Sequence, residues 1–97
     1  MQLVQKNYKL FLSSIMLSKK EFKKLNIIER YTLLKKDGEY IGGRFQGAHR
    51  RYLFLYNKYY VELWQIISLD QVQWIEIQEN KTIISEYVEK INLDDLW

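Results

Sequence analysis

Hydrophobic positions along the chain change their spacing twice. From residue 17 to 37 apolar residues recur three or four positions apart, which is the spacing of one helix face. From 39 to 78 they alternate with polar residues, as in β-strands, and from 81 to 92 the helical spacing returns. We therefore predict a single small α+β domain over residues 1–97, in which 17–37 is helical, 39–78 forms a sheet and 81–92 is a helix.

Two capping motifs mark the starts of the N-terminal helices. In Ser18-Lys-Lys-Glu21 the serine can accept from the third helical N–H while the glutamate bonds back to the cap, which predicts a helix over 19–25. Asn26-Ile-Ile-Glu29 has the same arrangement with an asparagine cap and predicts a second helix. Gly38 stands where glycine commonly follows the last helical residue, so this second helix should end there.

Residues 1–16 are predicted as an N-terminal extension of uncertain conformation. Their apolar positions have helical spacing, but terminal segments often fray. The apolar run from Leu10 to Leu17 is short, contains two serines and is followed by lysines, so a signal peptide is not expected. No run approaches the ~18 apolar residues of a membrane span. We expect a soluble cytoplasmic protein that does not engage a membrane.

Short connections between the predicted strands set the topology. The strands are 39–46, 51–56, 59–67 and 71–78, and the connections are Gly47–Arg50, Asn57-Lys58 and Ser68–Asp70. Connections this short favour an antiparallel meander. We predict a four-stranded antiparallel β-meander with the N-terminal helices and the C-terminal helix packed on one face.

The loop lengths also predict which residues face each other. They place Phe45 opposite Tyr52, Phe54 opposite Val61 and Leu63 opposite Ile75, so that one sheet face is apolar and should be covered by the helices. The other face mixes aromatic, charged and aliphatic residues. Its predicted members are Tyr40, Arg44, Gln46, Arg51, Leu53, Leu55, Tyr60, Glu62, Trp64, Ile66, Trp74 and Glu76.

The glycine-rich stretch YIGGRFQGAHRRY, residues 40–52, raises the question of a phosphate-binding loop. It holds three of the four glycines, three arginines and the only histidine. A phosphate loop would lead from a strand through its glycines into a helix N-terminus, whereas a strand follows here. We interpret the stretch as a hairpin, in which Gly42 and Gly43 lie opposite large side chains and Gly47 belongs to the turn.

Composition argues against most catalytic chemistry. The chain has no cysteine, which excludes disulfides, thiolate metal sites and cysteine nucleophiles, and which fits a reducing compartment. His49 stands in a predicted turn, and no G-x-S-x-G motif is present. Glu62 and Glu76 form a facing carboxylate pair, but a domain of this size offers little room for the cleft such a pair needs. We expect no enzyme activity, no metal and no cofactor.

Charge is distributed unevenly along the chain. Residues 1–51 carry a net +8 and residues 52–97 a net −5, within a total of +3. Such asymmetry is typical of a basic nucleic-acid surface, and equally of two halves that attract each other within one fold or across a dimer. Because residues 71–97 are acidic, nucleic acid is not the expected partner.

The mixed sheet face supplies the candidate binding residues. They are Arg44, Arg51, Tyr60, Trp64 and Trp74, and these residue types are enriched in binding hot spots. The sequence leaves open whether residues 1–16 or the chain's own C-terminus covers this face, whether a homodimer forms through it, or whether another protein binds it. The leading hypothesis is a non-catalytic protein-interaction or self-associating module. The alternatives are weak single-stranded nucleic-acid binding by the same face, or a small ligand bound between sheet and helices.

Overall fold

The computed structural model describes residues 16–96, with side chains over residues 16–88. The helices are α1 (Lys19–Lys23), α2 (Ile27–Asp37) and α3 (Lys81–Leu96), and the strands are β1 (Glu39–Gln46), β2 (His49–Tyr56), β3 (Tyr59–Ile66) and β4 (Gln71–Gln78). The strands pair antiparallel in the order β1-β2-β3-β4. The predicted fold class is thereby confirmed. The prediction for the N-terminal extension lies outside the described residues, except at Met16.

Both predicted capping boxes are present. The Ser18 hydroxyl accepts from the Glu21 N–H, and Asn26 Oδ1 accepts from the Glu29 N–H; each glutamate accepts in return from the cap N–H. Helix α1 is shorter than predicted and ends at Lys23. Gly38 follows α2 as predicted, but in an extended conformation. A Cβ there would lie 2.7 Å from the carbonyl oxygen of Leu34, so the close backbone approach favours glycine.

The predicted strand register is correct for two hairpins and wrong for the first. Phe54 pairs with Val61 and Leu63 with Ile75, as expected, but Phe45 pairs with Arg50 instead of Tyr52. The first turn contains only two residues, and its glycine adopts a φ of +59°, which suits the first position of a tight hairpin turn. The register therefore moves by two, and the paired residues from Gly42 to Gln46 keep their predicted face.

A bulge in β1 moves Tyr40 to the other face. Tyr40 pairs with Phe54 and Gly42 pairs with Leu53, which leaves Ile41 as the extra residue. The prediction that Tyr40 lies on the mixed face is therefore wrong. Its ring instead lies 5.8 Å from that of Phe54, on the face that α1 and α2 cover.

The main core lies between the N-terminal helices and this apolar face. Its buried members are Phe22, Leu33, Leu34, Tyr56, Tyr59, Val61, Leu63 and Ile75. The Leu17 N–H donates to the Tyr56 hydroxyl, and the Leu17 carbonyl accepts from Asn57 and from Tyr59. These bonds fix the entry into α1 against the β2–β3 turn.

Helix α3 lies on the opposite face from α1 and α2, so its predicted placement differs from the structure. Its Tyr87 donates to Glu62, and its Glu86 pairs with Arg44, both on the mixed face. This face also buries Leu53 completely, and a strand residue of that size needs a covering layer. Asn80 caps the helix, which continues past its predicted end at residue 92 to Leu96. Among the described helices, none has the length and apolar character needed to cross a membrane.

Candidate functional site

The five predicted partner-binding residues lie together on the α3 side of the sheet. Arg44 pairs with Arg51, Arg51 with Trp64 and Trp64 with Trp74 across neighbouring strands. Tyr60 lies on the same side of β3 and is half-buried. We call these five residues the Arg/Trp face.

Arg51 is committed to contacts within the chain. Arg51 is only 5% exposed, and its Nε donates to Glu62 Oε2 at 2.9 Å. A second guanidinium nitrogen bonds the same carboxylate, and the third bonds Gln46. The guanidinium carbon lies 4.4 Å from the Trp64 ring centroid, a cation–π contact. A partner could reach this guanidinium only by displacing these groups.

Glu62 is the acceptor at the centre of this network. It is 4% exposed, and it accepts from the Tyr87 hydroxyl at 2.7 Å and from Gln78 at 2.9 Å as well as from Arg51. Burial by itself would raise the pKa of Glu62, because it opposes ionisation. The hydrogen bonds, led by that from Tyr87, outweigh burial, so the pKa lies below its usual value. Glu76, which faces Glu62 across the strands, is exposed. Glu62 is therefore an enclosed structural carboxylate.

The chain's own C-terminal helix contacts the Arg/Trp face at Arg44 and Arg51. Coverage by the C-terminal part of the chain is one of the alternatives that the sequence left open. Arg44 pairs with Glu86 of α3 and lies 6.0 Å from the Tyr87 ring centroid. Trp64 and Trp74 remain half-buried, with ring centroids 5.0 Å apart. The His49 ring contacts both, at 5.2 Å and 5.7 Å.

A groove lies on the other face, between α2 and the sheet, where the sequence offered a small ligand as an alternative without naming residues. Its volume is about 370 Å³. The lining residues are Tyr31, Lys35, Tyr40, Tyr52, Phe54, Leu63, Gln65 and Val72. Strand residues such as Phe54 and Leu63 form the floor, while Tyr31 and Lys35 of α2 form one wall. We call this the aromatic groove.

The groove exists because α1 and α2 cover only part of the apolar face. The buried core ends near Leu63, and the edge strand β1 carries exposed rings on this face instead. Phe45 is 65% exposed and Tyr40 is 57% exposed. The bulge at Ile41 is what turns Tyr40 toward the groove. Adjacent glycines within a strand are a sequence signal for such a bulge.

The polar groups of the aromatic groove are cationic or neutral. Lys35 Nζ lies 5.9 Å from the Tyr31 ring centroid on the α2 wall. On the strand side, Arg50 donates to the Tyr52 hydroxyl at 3.3 Å, and that hydroxyl lies 3.4 Å from the side-chain oxygen of Gln65. No carboxylate is among the described lining residues. The described lining therefore combines an apolar floor with one charged residue, Lys35, while Arg50 and Asp70 bond to lining residues from outside it.

The described residues form no metal site, and the chain matches no known protein in the comparisons made. Within residues 16–88, no group of three or more histidine, cysteine, aspartate or glutamate side chains is placed to hold a metal ion. Comparison with protein-family models, with curated proteins and with solved structures found no match for this chain.

Proposed function

We propose that the protein is a small non-catalytic binding module and that the aromatic groove is its binding site. The observation that carries this proposal is an open groove with a buried apolar floor and the exposed ring of Tyr40 at its edge. Its volume of about 370 Å³ falls within the range of small-molecule sites, roughly 300–1,000 Å³. The absence of cysteine fits our further proposal that the module works in the cytoplasm.

The Arg/Trp face is a weaker candidate for a binding surface. Binding a protein or a nucleic-acid phosphate through Arg51 would require the guanidinium to leave Glu62, and breaking a buried ion pair costs about 3–5 kcal/mol. Arg44 is likewise paired with Glu86. We propose that this face serves to dock α3.

A neutral apolar fluorophore, N-phenyl-1-naphthylamine, tests the proposal on the full-length chain. We expect saturable binding with enhanced fluorescence, weakened about two- to tenfold by Tyr40→Ala, since an aromatic contact contributes about 0.5–1.5 kcal/mol. Val88→Ala removes an exposed apolar side chain from α3 and should leave the affinity unchanged. Circular dichroism of each variant verifies that the fold is retained.

Two outcomes would contradict the proposal. One is that wild-type protein shows no saturable binding; the other is that Tyr40→Ala and Val88→Ala behave alike.

Self-association through the same region is the second candidate, because the exposed Phe45 lies on the edge strand β1. Light scattering on a size-exclusion column over a wide concentration range separates the two candidates. A dimer that dissociates in Phe45→Ser, together with fluorophore binding that falls as the dimer forms, would favour self-association.

A further inference from the structure

We infer that the ligand of the aromatic groove is a small aromatic anion. This inference rests on the proposed function and adds the chemical class of the ligand to it. The supporting observations are the arrangement of rings around the floor and the sign of the charge at the rim.

The rings favour a flat ligand. Tyr40 meets Phe54 in an edge-to-face contact at 5.8 Å and Tyr52 in a tilted contact at 6.2 Å, so two ring orientations border one side of the groove. Tyr31 stands on the opposite wall. A planar ring placed between these walls would make the offset and edge contacts that aromatic groups prefer. The volume of about 370 Å³ accommodates a small molecule better than a folded partner.

The charge at the rim favours an anion. Lys35 is exposed at the groove, and among the described residues it forms no salt bridge. Arg50 stacks on Phe45 at 5.1 Å and donates to the Tyr52 hydroxyl, which places a second cation on the strand side. Lys35 is the one charged residue of the described lining, and Asp70, which accepts from Gln65 at 2.6 Å, lies outside that lining. The charge of the lining therefore favours a ligand of negative sign.

A matched pair of probes tests the requirement for negative charge. 8-Anilinonaphthalene-1-sulfonate has the same ring system as N-phenyl-1-naphthylamine and adds one sulfonate. We expect Lys35→Gln to weaken sulfonate-probe binding about two- to fivefold, the size expected for a solvent-exposed ion pair, and to leave the neutral probe unchanged. Added salt should weaken binding of the sulfonate probe only.

Lys20→Gln is the control, since it removes the same charge from an exposed position on α1, outside the groove lining. It should change neither affinity. If both lysine variants weaken the sulfonate probe equally, the probe binds surface cations in general and the inferred ligand class is wrong.

The two proposals fail in different ways. If the neutral probe binds and responds to Tyr40→Ala while Lys35→Gln has no effect on the sulfonate probe, the binding module stands and the aromatic anion is wrong. If neither probe binds, the groove is not a binding site and both proposals are wrong.

Discussion

Tyr87 is the residue of α3 that bonds to the inner strand β3 of the sheet. It is 2% exposed, and its hydroxyl donates to Glu62 Oε2 at 2.7 Å. Tyr87→Phe removes this hydroxyl and keeps the ring, so the change isolates one buried hydrogen bond to a charged acceptor. Such bonds contribute about 1.5–3 kcal/mol, and we expect the free energy of unfolding to fall within that range.

The remaining partners of Glu62 place the expected loss near the lower end of the range. The carboxylate keeps its bonds from Arg51 and Gln78 in the variant, so it does not become an unpaired buried charge. A loss of about 1.5 kcal/mol leaves a domain of ordinary stability, about 5–15 kcal/mol, folded. Arg51→Met, in contrast, would leave the carboxylate without its cation, and we expect a loss of about 3–5 kcal/mol.

Urea unfolding at pH 7, followed by far-UV circular dichroism, measures the difference. Tyr40→Phe is the matched control, because this tyrosine is exposed and should shift the unfolding free energy by no more than about 0.5 kcal/mol. Equal stabilities for Tyr87→Phe, Tyr40→Phe and the wild type would refute the role assigned to the Tyr87 hydroxyl. A reduced m-value would instead indicate that α3 has detached in the native state.

Four further predictions concern pH and local conformation. The Glu62 pKa is lowered in the fold, so its stabilising effect is present above its unfolded value, about 4.3, and is lost as the pH falls through the folded value; an NMR titration of this carboxyl showing an ordinary pKa would contradict this. Burial, followed by the charges of Tyr56 and Glu21, raises the Tyr59 pKa. Stability should therefore decline as the pH rises above about 10, and the absorbance at 295 nm that reports Tyr59 ionisation should appear at a higher pH than that of an ordinary tyrosine. Asn26→Ala should cost about 1 kcal/mol in urea unfolding, and an unchanged midpoint would mean that the cap contributes nothing. Lys58→Gly should stabilise the fold by about 1 kcal/mol, because Lys58 has a φ of 67°, a left-handed conformation that strains residues other than glycine. A loss of stability would show that the turn is unstrained.

Local patterns were enough to predict most of the fold. The capping boxes at Ser18 and Asn26 depend on residues three positions apart, and the Asn57-Lys58 turn sets the pairing of its own strands. The first hairpin was misjudged because Gly47 forms a two-residue turn, while the length of a loop can be inferred only approximately from its residue types. Gly42 and Gly43 are a sequence signal for a bulge, but its position at Ile41 follows only from the pairing with β2.

The candidate site was less predictable, because it depends on what the helices leave uncovered. Sequence alternation assigned Tyr52, Phe54 and Leu63 to the apolar face, but it could not show that α2 stops short of covering them all. The sequence placed the five residues of the Arg/Trp face together, but it left open what covers them. The residue types of a binding hot spot also suit an internal interface, and only the position of Tyr87 distinguishes the two.

The uneven distribution of charge along the chain is explained in part by ion pairs within the fold. Three ion pairs among the described residues join the basic first half to the acidic second half: Lys19 to Glu79, Arg44 to Glu86 and Arg51 to Glu62. The asymmetry therefore serves attraction within one fold, which is the interpretation that the sequence offered beside nucleic-acid binding. Lys35 is outside this set of pairs and stands at the rim of the aromatic groove. A cation that forms no ion pair with a described residue, placed beside exposed rings, is the feature that a ligand of opposite charge would recognise.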